Sequence, residues 1–158
     1  MIDYPIVKAS DNDYYLKRGF DKKYDFYGSI FMDYRNFGIG LDKNTIIYGH
    51  NMKDRKMFGD LPFYNDESFA LEHSIIEVNT LYGDKKYKVF SVYFDKADNT
   101  LIQTQFEDTE FEPYVAKLMD KSVIQFDLTV NPTDNILTLI TCSYEVDDGR
   151  YYLHAVEF

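Results

Sequence analysis

The stretch IIEVNTLYGDKKYKVFSVYF, residues 75–94, constrains the fold more than any other part of the chain. Apolar and polar side chains alternate with a period of two on both sides of Gly83-Asp84, the pattern of strands with one buried face. A Gly-Asp step between two such runs favours a tight turn, so the spacing predicts an antiparallel hairpin. GSIFMDY (28–34), NTIIY (44–48, ended by Gly49), ILTLITC (136–142) and RYYLHAVEF (150–158) also read as strands. Helical signals are fewer. SDNDYYLKRGF (10–20) has Ser10 and Asp11 as N-caps, Tyr15 and Leu16 as apolar anchors and Gly19 as a stop. Residues 52–74 mix helical turns with breakers at Gly59 and Pro62. EFEPYVAKLMDK (110–121) puts Phe111, Tyr114 or Val115, and Leu118 on one helical face, with Pro113 tolerated in the first turn. Strands outnumber helices, which predicts an antiparallel barrel or sandwich with peripheral helices.

No repeat, low-complexity tract or linker divides the 158 residues, so residues 1–158 are expected to form one domain. One cysteine cannot close an internal disulfide, and 15 Tyr and 13 Phe without Trp must supply much of the core. A net charge of −10 repels phosphate backbones and anionic lipid surfaces and argues against a nucleic-acid partner. The chain has no apolar run of transmembrane length. One cysteine and three separated histidines give no zinc spacing, and the GIG before Leu41 lacks the rest of a dinucleotide loop, so no metal or cofactor is assigned.

If the last two strands pair across SYEVDDG, Arg150 opens the returning strand beside Cys142, the last residue of the outgoing one. His50 follows an apolar strand just past a glycine and would project from the same rim. A thiolate nucleophile, an imidazole that shuttles protons and a guanidinium that steadies an oxyanion together suit acyl transfer. Each residue also has a plainer role. Cys142 fits a small buried hydrophobe, Arg150 an ion pair with Asp147 or Asp148, and His50 a turn beside Asn51. Asp147 and Asp148 read as a solvated turn, His73 as the end of a short helix and His154 as a structural mid-strand residue.

TLITC, with Arg150 eight positions after the cysteine in DDGRYYLHA, and NTIIYGHNM together resemble the signature of the sortases. The lead-in DYPIVKASDNDYYL, the strand GSIFMDYRN, the stretch from GHNM to MFGDL and the helix FEPYVAKLMDK resemble the class B sortases in particular. This resemblance implies a mainly β fold: a closed eight-stranded barrel with an N-terminal helix and an added helix before the catalytic strand. It implies His50, Cys142 and Arg150 as the catalytic set of a cysteine transpeptidase. It further implies that Asn12 and Leu16 on the N-terminal helix hold the first residues of the substrate and that Thr141 lines the same groove. The implied substrate is a surface protein of a Gram-positive bacterium bearing a C-terminal Asn-Pro-x-Thr-type sorting signal, cleaved after Thr. The acceptor is an amine of peptidoglycan or its precursor. The implied location is the extracellular face of the membrane, with an N-terminal anchor preceding these residues. Ile140 departs from the pattern, since sortases often carry Ser or Ala two positions before the cysteine. Two alternatives are a thiol peptidase with water as acceptor and a non-catalytic barrel that binds extended peptides by edge pairing.

Overall fold

The computed structural model describes residues 2–143 and 148–158, with Asn99, Cys142 and Ser143 described by backbone alone. Seven strands form one curled sheet: β1 (Ile6–Lys8), β2 (Ile30–Met32), β3 (Asn44–Tyr48), β4 (Ile75–Thr80), β5 (Gly83–Lys96), β6 (Ile136–Ser143) and β7 (Gly149–Glu157). Their order across the sheet is β1-β2-β3-β6-β7-β5-β4. The expected hairpin is β4–β5, with Ile76 opposite Tyr87, but its turn is Leu81-Tyr82 rather than Gly83-Asp84, since Thr80 pairs with Gly83 and Asn79 with Asp84. Gly83 has φ +133°, which an L side chain rarely adopts, so glycine is required there.

Two further expectations are corrected. Among the described residues the sheet has seven strands rather than eight, with β1 and β4 at its edges, so it is a half-barrel rather than a closed one. It is also mixed: β1 runs parallel to β2, and β3 parallel to β6. β2 is short, and just past it Asp33 N–H still donates to the Ile46 carbonyl of β3 at 2.9 Å while its side chain accepts from Arg35.

Alternation distributes the core over two faces. Ile46 and Ile47 are neighbours in sequence yet fall in opposite clusters, as do Leu139 and Ile140. One face joins Ile47, Val89, Leu137 and Leu153 to Phe58, Leu61 and Ala70, the last from helix α1 (Glu67–Glu72). The other joins Ile46, Phe90, Ile140 and Tyr152 to helix α2 (Phe111–Lys121). α2 buries Phe111, Tyr114, Val115 and Leu118, the stripe expected from the sequence. Ser91 Oγ donates to the Leu118 carbonyl at 2.6 Å, and Val92 N–H donates to Ser122 Oγ at 3.0 Å, so the C-terminal end of α2 is fixed to β5. The expected N-terminal helix is one 3₁₀ turn, Tyr14–Lys17. Asp11 starts it by accepting from the N–H groups of Asp13 and Tyr14 at 2.9 and 2.7 Å, and extended backbone at Arg18 ends it.

Candidate active site

Strand register places the three candidate residues. β6 and β7 are antiparallel with Cys142 opposite Arg150, the pairing expected from the sequence. β3 lies on the other side of β6, with Tyr48 beside Ile140, and Gly49 N–H donates to the Ile140 carbonyl at 3.1 Å. His50 is the next residue, two past Tyr48 as Cys142 is two past Ile140. Residue 50 thus lies two positions past the Tyr48–Ile140 pair that ends the β3–β6 register, and residue 142 lies two past it on β6, opposite residue 150 on β7. Gly49 is required by space: a Cβ there would lie 2.4 Å from Ile30 Cδ1 and 2.7 Å from the Phe58 ring.

His50 is half-buried, and its backbone carbonyl accepts from Phe58 N–H at 2.9 Å, which closes the loop after β3. Its Nε2 lies 2.7 Å from the Leu16 carbonyl. A cleft of about 450 Å³ opens beside it, lined by Phe26, Tyr27, Met52 and Asp54 among others. Tyr27 hydroxyl donates to Asp54 at 2.9 Å, and Lys56 Nζ lies 4.4 Å from the Tyr27 ring centroid, so the cleft wall is cross-linked. Arg150 Nη1 donates to the Gly149 carbonyl at 2.9 Å and lies 3.2 Å from Asp148. Its other anticipated partner, Asp147, is outside the described residues.

The expected groove residues occupy different settings. Thr141 is buried, and its hydroxyl has no hydrogen-bond partner among the described residues. Leu16 is 36% exposed and joined to His50 through its carbonyl. Asn12 sits further back: its Nδ2 donates to Asp33 at 3.1 Å, and its Oδ1 accepts from Tyr34 N–H at 3.0 Å. Ile140, the departure from the sortase pattern, is buried in the α2-side core, on the opposite face from Leu139.

Sequence reasoning missed the group that braces this rim. Asp33 is fully buried and accepts from Arg35 Nε and Nη2, each at 2.8 Å, and from the Tyr48 hydroxyl at 2.8 Å. Burial opposes its charge, but hydrogen bonds from Arg35, Tyr48 and Asn12 outweigh that and hold the carboxyl down at about 2. The Arg35 guanidinium is pushed up by its bond to Asp33, and burial pushes the Tyr48 phenol up. One carboxylate therefore ties β2, the strand preceding His50 and the N-terminal segment. An acidic residue directly after the apolar run IFM, two before an arginine, was the available signal.

The remaining histidines stand apart. His73 is the C-cap of α1, with Nδ1 2.9 Å from the Phe69 carbonyl and its ring stacked on Phe69 at 4.0 Å. His154 is fully buried between Thr138, at 2.9 Å from Nδ1, and the Tyr93 hydroxyl, at 3.3 Å from Nε2. Burial pushes its imidazole down to about 3.

Comparison with known proteins converges on one family. The family model described as "Sortase domain" matches residues 1–157. Sortase B of Listeria monocytogenes is 44% identical over 147 residues, covering 92% of this chain and 60% of that protein. Sortase B of Staphylococcus aureus is 39% identical over 142 residues, covering 89% of this chain and 58% of that protein. The chain thus spans about three-fifths of the length of these curated relatives. The solved structure of a Staphylococcus aureus sortase B–substrate complex superimposes with a TM-score of 0.91 at 36% identity, covering 98% of this chain and 73% of that one.

Proposed function

Because the chain belongs to the sortase family, and within it to the class B sortases, we propose that it is a cysteine transpeptidase acting on Asn-Pro-x-Thr-type sorting signals. The observation that carries this reading is the pairing of Cys142 with Arg150 on adjacent strands, with His50 following the end of the neighbouring strand β3. In the first half-reaction the Cys142 thiolate attacks the threonine carbonyl carbon, and the oxygen of the tetrahedral intermediate takes up the negative charge beside Arg150. The C–N bond breaks as the departing amine takes a proton from the His50 imidazolium, leaving a thioester on Cys142. In the second, an acceptor amine attacks the thioester and gives a proton to His50, and the thiolate leaves. Thr141 and Leu16 are the further residues of this reading that contact the extended peptide, exposed Leu16 by an apolar surface. Asn12, tied to Asp33 and Tyr34, shapes the same end of the groove.

The acceptor in this reading is an amino group of peptidoglycan or its precursor. The work is done at the extracellular face of the membrane, on surface proteins carrying a C-terminal sorting signal. No described helix is long and apolar enough to cross a membrane. The deciding experiment incubates the protein with Asn-Pro-x-Thr-type peptides, with and without small amines, and follows products and protein by mass spectrometry. The expected result is an acyl adduct on Cys142, an amine-dependent transfer product, and loss of both in Cys142→Ala. Turnover by Cys142→Ala near the wild-type rate would refute the assignment. Cleavage whose product is the free acid whatever the amine would identify a peptidase instead.

A further inference from the structure

Which nitrogen of His50 exchanges protons follows from how the other is held. A backbone carbonyl can only accept, so Nε2, 2.7 Å from the Leu16 oxygen, carries a hydrogen. In neutral imidazole the bare nitrogen is then Nδ1, and no hydrogen bond engages Nδ1 among the described residues.

The carbonyl that holds Nε2 is itself fixed from several directions. Leu16 N–H donates to the Asp13 carbonyl at 3.1 Å, and the carbonyls on either side of Leu16 are both occupied. Tyr15 O accepts from Ser29 N–H and Lys17 O from Asp25 N–H, each at 3.1 Å, while Arg18 O accepts from Ser29 Oγ at 2.8 Å. Residues 25–29 therefore lie along the 3₁₀ turn, and they approach it closely only because residue 28 is glycine. Gly28 has φ +61°, and a Cβ there would lie 2.6 Å from the Leu16 oxygen and 2.7 Å from the Tyr15 oxygen. Asn12 pins the segment a second time, to the buried Asp33.

We propose that the Leu16 carbonyl, and the glycine at position 28 that admits it, form a positioning device. It keeps the proton of His50 on Nε2 and leaves Nδ1 as the atom that performs acid–base chemistry. During acylation Nδ1–H gives its proton to the departing nitrogen as the C–N bond breaks; Nε2–H stays on Leu16. During resolution Nδ1 takes the proton of the acceptor amine as the new C–N bond forms. Neither half-reaction requires the ring to turn over or change tautomer. This assignment rests on the reading of His50 as the acid–base group.

The test is ¹⁵N NMR of the histidine-labelled full chain without substrate, in mildly alkaline solution, for the wild type and Gly28→Ala. The wild type should show a single His50 tautomer, with Nδ1 shifted as an unprotonated nitrogen and an Nε2 proton protected from solvent exchange. Gly28→Ala should give the averaged shifts of a free imidazole. In a peptide-plus-amine assay it should lose on the order of 100-fold in kcat, the scale expected when a catalytic group is misplaced. A tautomer mixture or an unprotected Nε2 proton in the wild type overturns the proposal, and that spectrum decides even if Gly28→Ala fails to fold. A folded Gly28→Ala that keeps the wild-type tautomer also overturns it. His50→Ala separates the two levels: wild-type turnover in that variant would refute the acid–base reading while leaving the tautomer result to stand alone.

Discussion

Asp33→Asn should change the acid stability of the protein by an amount calculable from the site. In the folded chain Asp33 is held at about 2, against 3.8 for an ordinary aspartate, because Arg35, Tyr48 and Asn12 donate to its ionised form. That difference is linked to roughly 2.4 kcal/mol of folding stability, since one pKa unit is worth about 1.4 kcal/mol. A depressed acid stabilises the fold while it is ionised. The contribution is therefore complete above about pH 5 and is lost as pH falls through the folded value near 2. About 1 kcal/mol should be gone by pH 3, and about 2 kcal/mol by pH 2. The asparagine variant has no such carboxyl and leaves the Arg35 guanidinium without its partner, so it should start less stable. The assay is urea unfolding of both proteins at intervals from pH 5 to pH 2. The gap between their unfolding free energies should narrow by about 2 kcal/mol across that range. A gap constant to within a few tenths of a kcal/mol would mean that the Asp33 carboxyl titrates alike in the folded and unfolded chains, which would refute the brace.

If Arg150 steadies the oxyanion as proposed, Arg150→Lys should lose on the order of a hundredfold to a thousandfold in acylation rate, because an ammonium cannot replace a planar donor fork. Asp148→Asn, which removes only a solvent-exposed ion-pair partner, should leave that rate nearly unchanged, as stopped-flow or quenched mass spectrometry would show. His154 should show no titration by proton NMR between pH 7 and pH 4, because burial holds its imidazole near 3; a midpoint near 6 would contradict the burial. Leu118→Ala should destabilise the fold by about 2 to 5 kcal/mol in urea melts, because the side chain is fully buried between α2 and the sheet.

Sequence reasoning read the local features well. The β4–β5 hairpin was legible because Gly83 and two alternating runs carry the whole signal within 20 residues. α2 was legible from the spacing of Phe111, Tyr114, Val115 and Leu118, and the Cys142–Arg150 pairing from two strand runs joined by a short polar turn. The parallel pairing of β3 with β6 was not, because NTIIY and ILTLITC are apolar on both faces and nothing in either names its neighbour. The bond of His50 to the Leu16 carbonyl was not legible, since a backbone oxygen leaves no mark in a sequence. Asp33 escaped notice for a related reason: its importance comes from Asn12 and Tyr48, which lie 21 and 15 residues away along the chain.

The parallel seam between β3 and β6 also bears on the order in which the active rim is assembled during refolding. β6 and β7 are joined by a short connection, whereas bringing Asn44 beside Ile136 closes a loop of about ninety residues. Closing a loop of that length costs about 4 kcal/mol of chain entropy before any contact across the seam offsets it. Contacts so distant in sequence slow folding, and local hairpins precede them. Cys142 and Arg150 are therefore expected to pair early, while the strand that precedes His50 joins them only when the two halves of the sheet meet. Acylating competence during refolding should thus rise with the slow phase that completes the sheet, behind the faster signal of hairpin formation.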